Sequence, residues 1–395
     1  MTIKHLILTG GGPIGFVEYG ALKYLTTTNI INYNNIQSIY AVSIGAFIGF
    51  IYTLNLEWLW VDDFIIKRPW NKLVSFSYTN LLYEKGIITR TDVVNALEPL
   101  FLTKNIPLSI TLLEFYNLTK IEFNIYACNF TTLQQKKFNH ITTPNIMLVD
   151  ALYVSLAIPL IFAPLIIDDC FYLDGAIIQG CPINNCIAEK QCDHSEILCF
   201  INDKTNPIDL SNVYHSASTS TSASTVSTVS TSASTVSTGT VSTGTVSTVS
   251  TVSNNINFFK YFYLLFNTWF MNISNIENEI IVHIKNSINV ALINNGANLK
   301  YWYYILNTDT ERAHLINLGT LQAKKFISNL ELENDPDPIC SNQIQVNAEL
   351  ETPVVSNLVD IKILYMLNAY FKYVLYIFYI YFIVILYIFY KNIKI

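Results

Sequence analysis

Apolar and polar positions along the first 200 residues alternate between short continuous apolar runs and stretches with apolar residues three and four apart. The runs predict buried strands over Lys4–Leu8, Ser38–Val42, Glu122–Cys128, Phe171–Leu173 and Ile197–Ile201. The second pattern predicts helices over Glu18–Leu25 and Ile44–Leu54. Such alternation is that of an α/β protein, and strands apolar on both sides predict a sheet covered on both faces. From Ser216 to Ser253, 38 residues are only Ser, Thr, Ala, Val and Gly in STV-like repeats. They offer no side chains for a core, so residues 216–253 read as a low-complexity insert within the domain, tolerated because loop closure grows only slowly in cost with length. An amphipathic run at Thr320–Leu330 predicts the closing helix of a domain spanning 1–330, and the DPDP sequence at Asp335 to Pro338 marks a linker over 331–372.

Tyr373 to Tyr390 holds 18 residues without charge, amide, glycine or proline. As a helix this segment is about 27 Å long, enough to span a bilayer. With only Lys391 to Ile395 after it, it predicts a C-terminal transmembrane helix acting as a single-pass tail anchor, the domain before it staying cytosolic. Its six tyrosines, which favour the interface over the bilayer centre, weigh against that expectation.

Composition strengthens the leaning towards lipid. Hydrophobic residues make up 51% and charged residues 13% of 395, the latter about half the usual share, and mean hydropathy is +0.34. Twenty-nine acids against 23 Lys and Arg leave a net charge of −6. Without a basic surplus to neutralise phosphates, no nucleic-acid partner is expected. Seven cysteines, an odd number spread over a long chain, read as a reducing compartment rather than a disulfide framework. Cys181 with Cys186, and Cys192 with His194, match no CxxC spacing, so no metal is expected.

The chemistry-bearing positions begin directly after the first strand, at Thr9-Gly10-Gly11-Gly12-Pro13-Ile14-Gly15. Glycines at the start of a helix let backbone amides approach a negative charge, which the helix dipole reinforces. The same letters satisfy GxGxxG, but a dinucleotide site needs an acid about 20 residues on, and none lies between Glu18 and Glu57. A P-loop fails too, since no Gly-Lys-Ser/Thr follows. The second strand ends in Ala41-Val42-Ser43-Ile44-Gly45, a strand, sharp turn and helix with the spacing of a nucleophile elbow. A serine lifted off a sheet one strand–helix unit after a glycine loop places a nucleophile beside donors for a developing oxyanion, as acyl transfer requires. None of the six histidines, His5, His140, His194, His215, His283 and His314, lies in a recognisable motif. The sharper candidate for the base is Asp174 in Tyr172-Leu173-Asp174-Gly175-Ala176, at the end of an apolar strand before a glycine turn. Asp168 and Asp169 lack the following glycine.

Gly10-Gly11-Gly12, the elbow around Ser43 and Asp174-Gly175-Ala176, in this order, resemble the patatin-like phospholipases, relatives of the catalytic domain of cytosolic phospholipase A2. The resemblance extends over about 200 residues, through Ala127 to Thr132, the small-residue stretch Ala151 to Pro164, and Pro182. It implies a three-layer α/β/α fold with a mixed central sheet, and a Ser-Asp dyad that cleaves acyl esters of lipids with neither metal nor cofactor. Carried over by position, Ser43 is the nucleophile, Asp174 the proton acceptor, Gly10, Gly11 and Gly12 the oxyanion hole, and Gly45 and Gly175 the glycines of the two turns. The implied partners are a membrane phospholipid or other acyl-lipid substrate and the bilayer that holds it. Three positions depart from the family: Ile14 stands where Arg or Lys is usual, Ala41 replaces the first glycine of the elbow, and Gly180 replaces a common asparagine. Those departures motivate an alternative, a catalytically silent patatin-like protein that binds membranes. A Ser-His-Asp hydrolase, relying on His283 or His314, is a third reading.

Overall fold

The computed structural model describes residues 2–73, 86–132, 134–208, 284–292 and 299–334. Strand β1 (His5–Leu8) runs into the glycine loop and helix α1 (Ile14–Thr27). The unit repeats with β2 (Ser38–Val42) and α2 (Ile44–Thr53). After β3 (Gly86–Ile88) come helices α3 (Arg90–Thr103) and α4 (Leu112–Thr119). Both start in capping boxes, Thr89 with Asp92 and Thr111 with Glu114, which satisfy amides that a helix leaves without partners. Next are β4 (Glu122–Asn129), β5 (Gln134–Phe138), α5 (Leu148–Leu156) and β6 (Leu160–Phe162). Then follow β7 (Leu165–Ile167), β8 (Cys170–Asp174), α6 (Ile183–Lys190) and β9 (Ile197–Ile201). The last elements are β10 (Ser287–Asn289), α7 (Leu299–Asn307) and α8 (Asp309–Asn334).

Eight strands form one sheet in the order β10-β9-β1-β2-β4-β8-β7, with β5 also on β4. From β10 to β4 all pairs are parallel, whereas β5, β8 and β7 join antiparallel, giving the mixed central sheet that the resemblance implies. β3 and β6 make a separate parallel pair. Successive side chains alternate between faces. Leu6, Leu8, Ile39, Ala41, Ile125 and Phe200 join a large core with residues of α1, α2, α5 and α8. Ile7, Tyr40, Val42, Tyr126 and Cys199 join a smaller core with Ile183 and Cys186 of α6. The sheet is therefore covered by helices on both sides, as its all-buried strands require.

The closing helix is longer than the pattern at Thr320–Leu330 predicts, because its first half packs on α1 through glycine. A Cβ on Gly319 would collide with the Val17 carbonyl, and one on Gly20 with the Ile316 backbone, so the two helices touch backbone to backbone. Among the described residues no helix is long and apolar enough to cross a membrane. The transmembrane segment expected over 373–390, the insert over 216–253 and all but the first residues of the 331–372 linker lie outside the described residues.

Candidate active site

Ser43 sits between β2 and α2 with φ 54° and ψ −126°, a conformation unusual for a residue bearing a Cβ and costing about 1–3 kcal/mol. The surroundings enforce it. Gly45 lets α2 pass so close to β1 that a Cβ there would lie 2.6 Å from the Leu8 carbonyl. The Ser43 amide donates to Ser155 Oγ at 2.8 Å, and Ser155 in turn donates to the Tyr126 carbonyl at 2.7 Å, tying the elbow through α5 to β4. Nothing local in the sequence marks Ser155, which lies within the small-residue stretch of α5, as the support of this turn.

The meeting of Ser43 with Asp174 follows from how β4 shares its edges. Along residues 125–129 one edge of β4 is taken by β5. On the other, β2 pairs up to Val42↔Tyr126, and β8 takes over at Asp174↔Ala127. The ends of β2 and β8 therefore abut, and Ser43 Oγ donates a hydrogen bond of 2.6 Å to Asp174 Oδ2. The other carboxylate oxygen accepts from the Ala176 amide at 2.8 Å. Gly175 is required, since a Cβ there would run into the Tyr126 carbonyl. Ser43 and Asp174 are both buried, at 4% and 3% exposure. Burial raises the Asp174 pKa from 3.8 to about 7, against the opposing pull of its bonds to Ser43 and Ala176. A carboxyl poised near neutrality suits a general base.

The glycine loop lies alongside, with Gly10 near the Cβ atoms of Ser43 and Ala176. Gly11 and Gly12 take φ 152° and 61°, values that side chains disfavour. The Gly10 amide, expected as an oxyanion donor, instead donates to the Gly180 carbonyl at 2.8 Å. The reason is tertiary: Gly180 brings its backbone against the loop and also accepts from Thr9 Oγ1 at 3.0 Å. The Thr9 amide donates to Glu18 Oε1 at 2.8 Å. Glu18 is fully enclosed, and burial holds its carboxyl well above the usual range. Ile14 is buried and packs against Gly11. Trp302 of α7 covers Gly12, where a Cβ would meet its ring at 2.6 Å.

The remaining candidates lie elsewhere. His5 Nδ1 is 2.7 Å from Ser38 Oγ, His140 stacks on Tyr116, His194 is in a single turn before β9, and His314 is on α8. His215 and His283 lie outside the described residues. Asp168 and Asp169 are exposed in the turn between β7 and β8. Ala41 is fully buried in β2.

Residues 6–187 match the patatin family, described as patatin-like phospholipase. The probable lipid hydrolase 463L of Invertebrate iridescent virus 6 is 29% identical over 186 residues, 46% of this chain and 62% of that protein. An uncharacterized protein of Acanthamoeba polyphaga mimivirus is 26% identical over 209 residues, 52% of this chain and 67% of its own. The crystal structure of VipD from Legionella pneumophila aligns with a TM-score of 0.39 and 15% identity over 83% of this chain and 67% of that one. The chain thus matches less than two thirds of the iridescent-virus protein's length. The glycine loop, Ser43 and Asp174 all fall inside the segment, residues 6–187, that is similar to the patatin-like phospholipases.

Proposed function

We propose that the protein is a lipid acyl hydrolase of the phospholipase A type, working through Ser43 and Asp174 by way of an acyl-enzyme. The observation that carries this reading is the 2.6 Å hydrogen bond from Ser43 Oγ to a buried carboxylate whose pKa lies near 7. Asp174 takes the Ser43 proton as Oγ attacks the ester carbonyl, and returns it to the departing alcohol. The negative charge developing on the carbonyl oxygen is met by the Gly11–Gly12 turn and the N-terminus of α1. Water deprotonated by Asp174 then attacks the ester on Ser43 and releases the fatty acid. The apolar segment at 373–390 serves in this reading as a single-pass anchor that keeps the domain at its substrate, a bilayer of phospholipid or other acyl lipid.

The test is fatty-acid release by the full chain from vesicles of mixed phospholipid and neutral lipid. Ser43→Ala is expected to lower release by about 10³-fold or more. Equal release by both proteins would refute the nucleophile. The buried Ile14, where the resemblance implies Arg or Lys, favours the second reading of a silent membrane-binding protein. Vesicle binding without release by the wild type would support it.

A further inference from the structure

At the end of the sheet opposite Ser43, His5, Cys192 and Glu196 offer ligating atoms that all lie within 4.8 Å of one another. This is the single cluster of three such side chains among the described residues. His5 opens β1 and pairs in register with Ile197, so Glu196, one residue earlier, is held beside it; the Lys4 amide donates to the Glu196 carbonyl at 2.8 Å. Cys192 reaches the same place from the loop after α6. Neither sequence-adjacent pairing, Cys181 with Cys186 or Cys192 with His194, marks this site. Its third member comes from a residue 187 positions earlier in the chain.

We propose that His5, Cys192 and Glu196 form a zinc site with three protein ligands and one open position, which ties the start of β1 to the turn leading into β9. The donor set is one imidazole, one thiolate and one carboxylate. That mixture suits zinc and not magnesium or calcium, which demand shells of oxygen. His5 has a hydroxyl beside one ring nitrogen, as metal-bound histidines commonly have a partner on the nitrogen away from the ion. His5 Nδ1 lies 2.7 Å from Ser38 Oγ, and in the tautomer that donates Nδ1–H to this hydroxyl, Nε2 carries the lone pair for the ion. A tetrahedral ion about 2.0–2.3 Å from each ligand draws the three atoms together by about 1 Å, water filling the fourth position. Cys192 lies in a loop and Glu196 in a single turn, so the contraction needs no change in the sheet. Lys4 now pairs with Glu196. Its side chain, a third exposed, swings to solvent as the dication takes its place. On binding, the Cys192 thiol loses its proton to solvent, and thiolate with carboxylate balances the two charges of the ion.

The test uses the full chain, stripped with a chelator and titrated with Co²⁺ as a coloured probe. One equivalent is expected to give a thiolate-to-cobalt charge-transfer band in the near ultraviolet and the intense visible bands of a tetrahedral ion, both abolished by Zn²⁺. Cys192→Ser should lose the charge-transfer band, and His5→Gln should weaken binding at least tenfold. Cys170→Ser, which alters a partly exposed cysteine on β8, should bind as the wild type does. Zn²⁺ at a hundredfold over Kd should raise the melting temperature of the wild type by roughly 5 °C or more. Absence of the band at one equivalent, or its survival in Cys192→Ser, overturns the site. Should Cys192→Ser fail to fold, alkylation of the wild type decides: Zn²⁺ must protect Cys192, and unchanged labelling overturns the proposal.

Discussion

Replacing Asp174 with asparagine keeps the shape of the side chain while removing both its charge and its basicity, so activity and stability should move in opposite directions. In the folded protein Asp174 has a pKa of about 7, and in the unfolded chain about 3.8. The folded state therefore holds a proton that the unfolded state has lost throughout pH 4–7, and rising pH favours unfolding across that window. A difference of about 3 units at 1.36 kcal/mol each makes the ionised, buried carboxylate cost about 4 kcal/mol by pH 8, and almost nothing below pH 4. Asparagine cannot ionise. It loses about 1 kcal/mol through a weaker bond to Ser43, independently of pH. Asp174→Asn should thus be slightly less stable than the wild type at pH 4 and more stable by about 3 kcal/mol at pH 8, where its melting temperature should lie roughly 10 °C higher. The assay is thermal unfolding of both proteins from pH 4 to 8, with ester hydrolysis measured in parallel. The wild type should gain activity with pH around a midpoint near 7 as Asp174 ionises, and the variant should show none. A constant difference between the two melting curves across this range would refute the assignment of Asp174 as the buried, elevated carboxyl. Full hydrolysis by the variant would refute it as the base.

Two further substitutions probe the supports of the site. Ser155→Ala strips partners from the buried Ser43 amide and Tyr126 carbonyl, so denaturant unfolding should show a loss of about 2–4 kcal/mol and kinetics at least a tenfold lower kcat with KM little changed. Gly319→Val drives a side chain into the Val17 carbonyl, and denaturant unfolding should register a loss of about 3 kcal/mol.

The pairing of Ser43 with Asp174 is legible as a candidate because each carries a local signature, an apolar strand ending in a short turn that needs glycine. Gly45 and Gly175 are glycine for steric reasons seen only in the fold, where a neighbouring carbonyl occupies the space of a Cβ. What the sequence could not reveal is set by partners distant along the chain. Three consecutive glycines offer three amides, but Gly180, 170 residues on, takes that of Gly10. Ser155 looks like any small residue in an apolar helix until α5 is docked against the elbow. The capping boxes at Thr89 and Thr111 are local signals of helices that apolar periodicity alone passes over. The apolar pattern predicts helix α8 only over its later part, Thr320–Leu330, because contact with α1 through Gly20 and Gly319 favours glycine where an isolated helix would favour larger apolar residues.

The change of strand direction on β4 is what brings Ser43 and Asp174 together. In a parallel sheet, strands on either side of β4 would end at the same level but stand a full strand apart. Here β2 runs parallel to β4 and β8 antiparallel, both on one edge, so their C-terminal ends meet head to head at Tyr126 and Ala127. Each strand then delivers its last side chain into the same gap, which is narrow enough for a hydrogen bond of 2.6 Å and closed enough to keep both residues almost dry. That dryness raises the carboxyl to a pKa useful near neutrality, and the same dryness makes its ionised form costly. The raised pKa of Asp174 and the cost of its ionised form thus have one origin, the abutting of two strands on a shared partner.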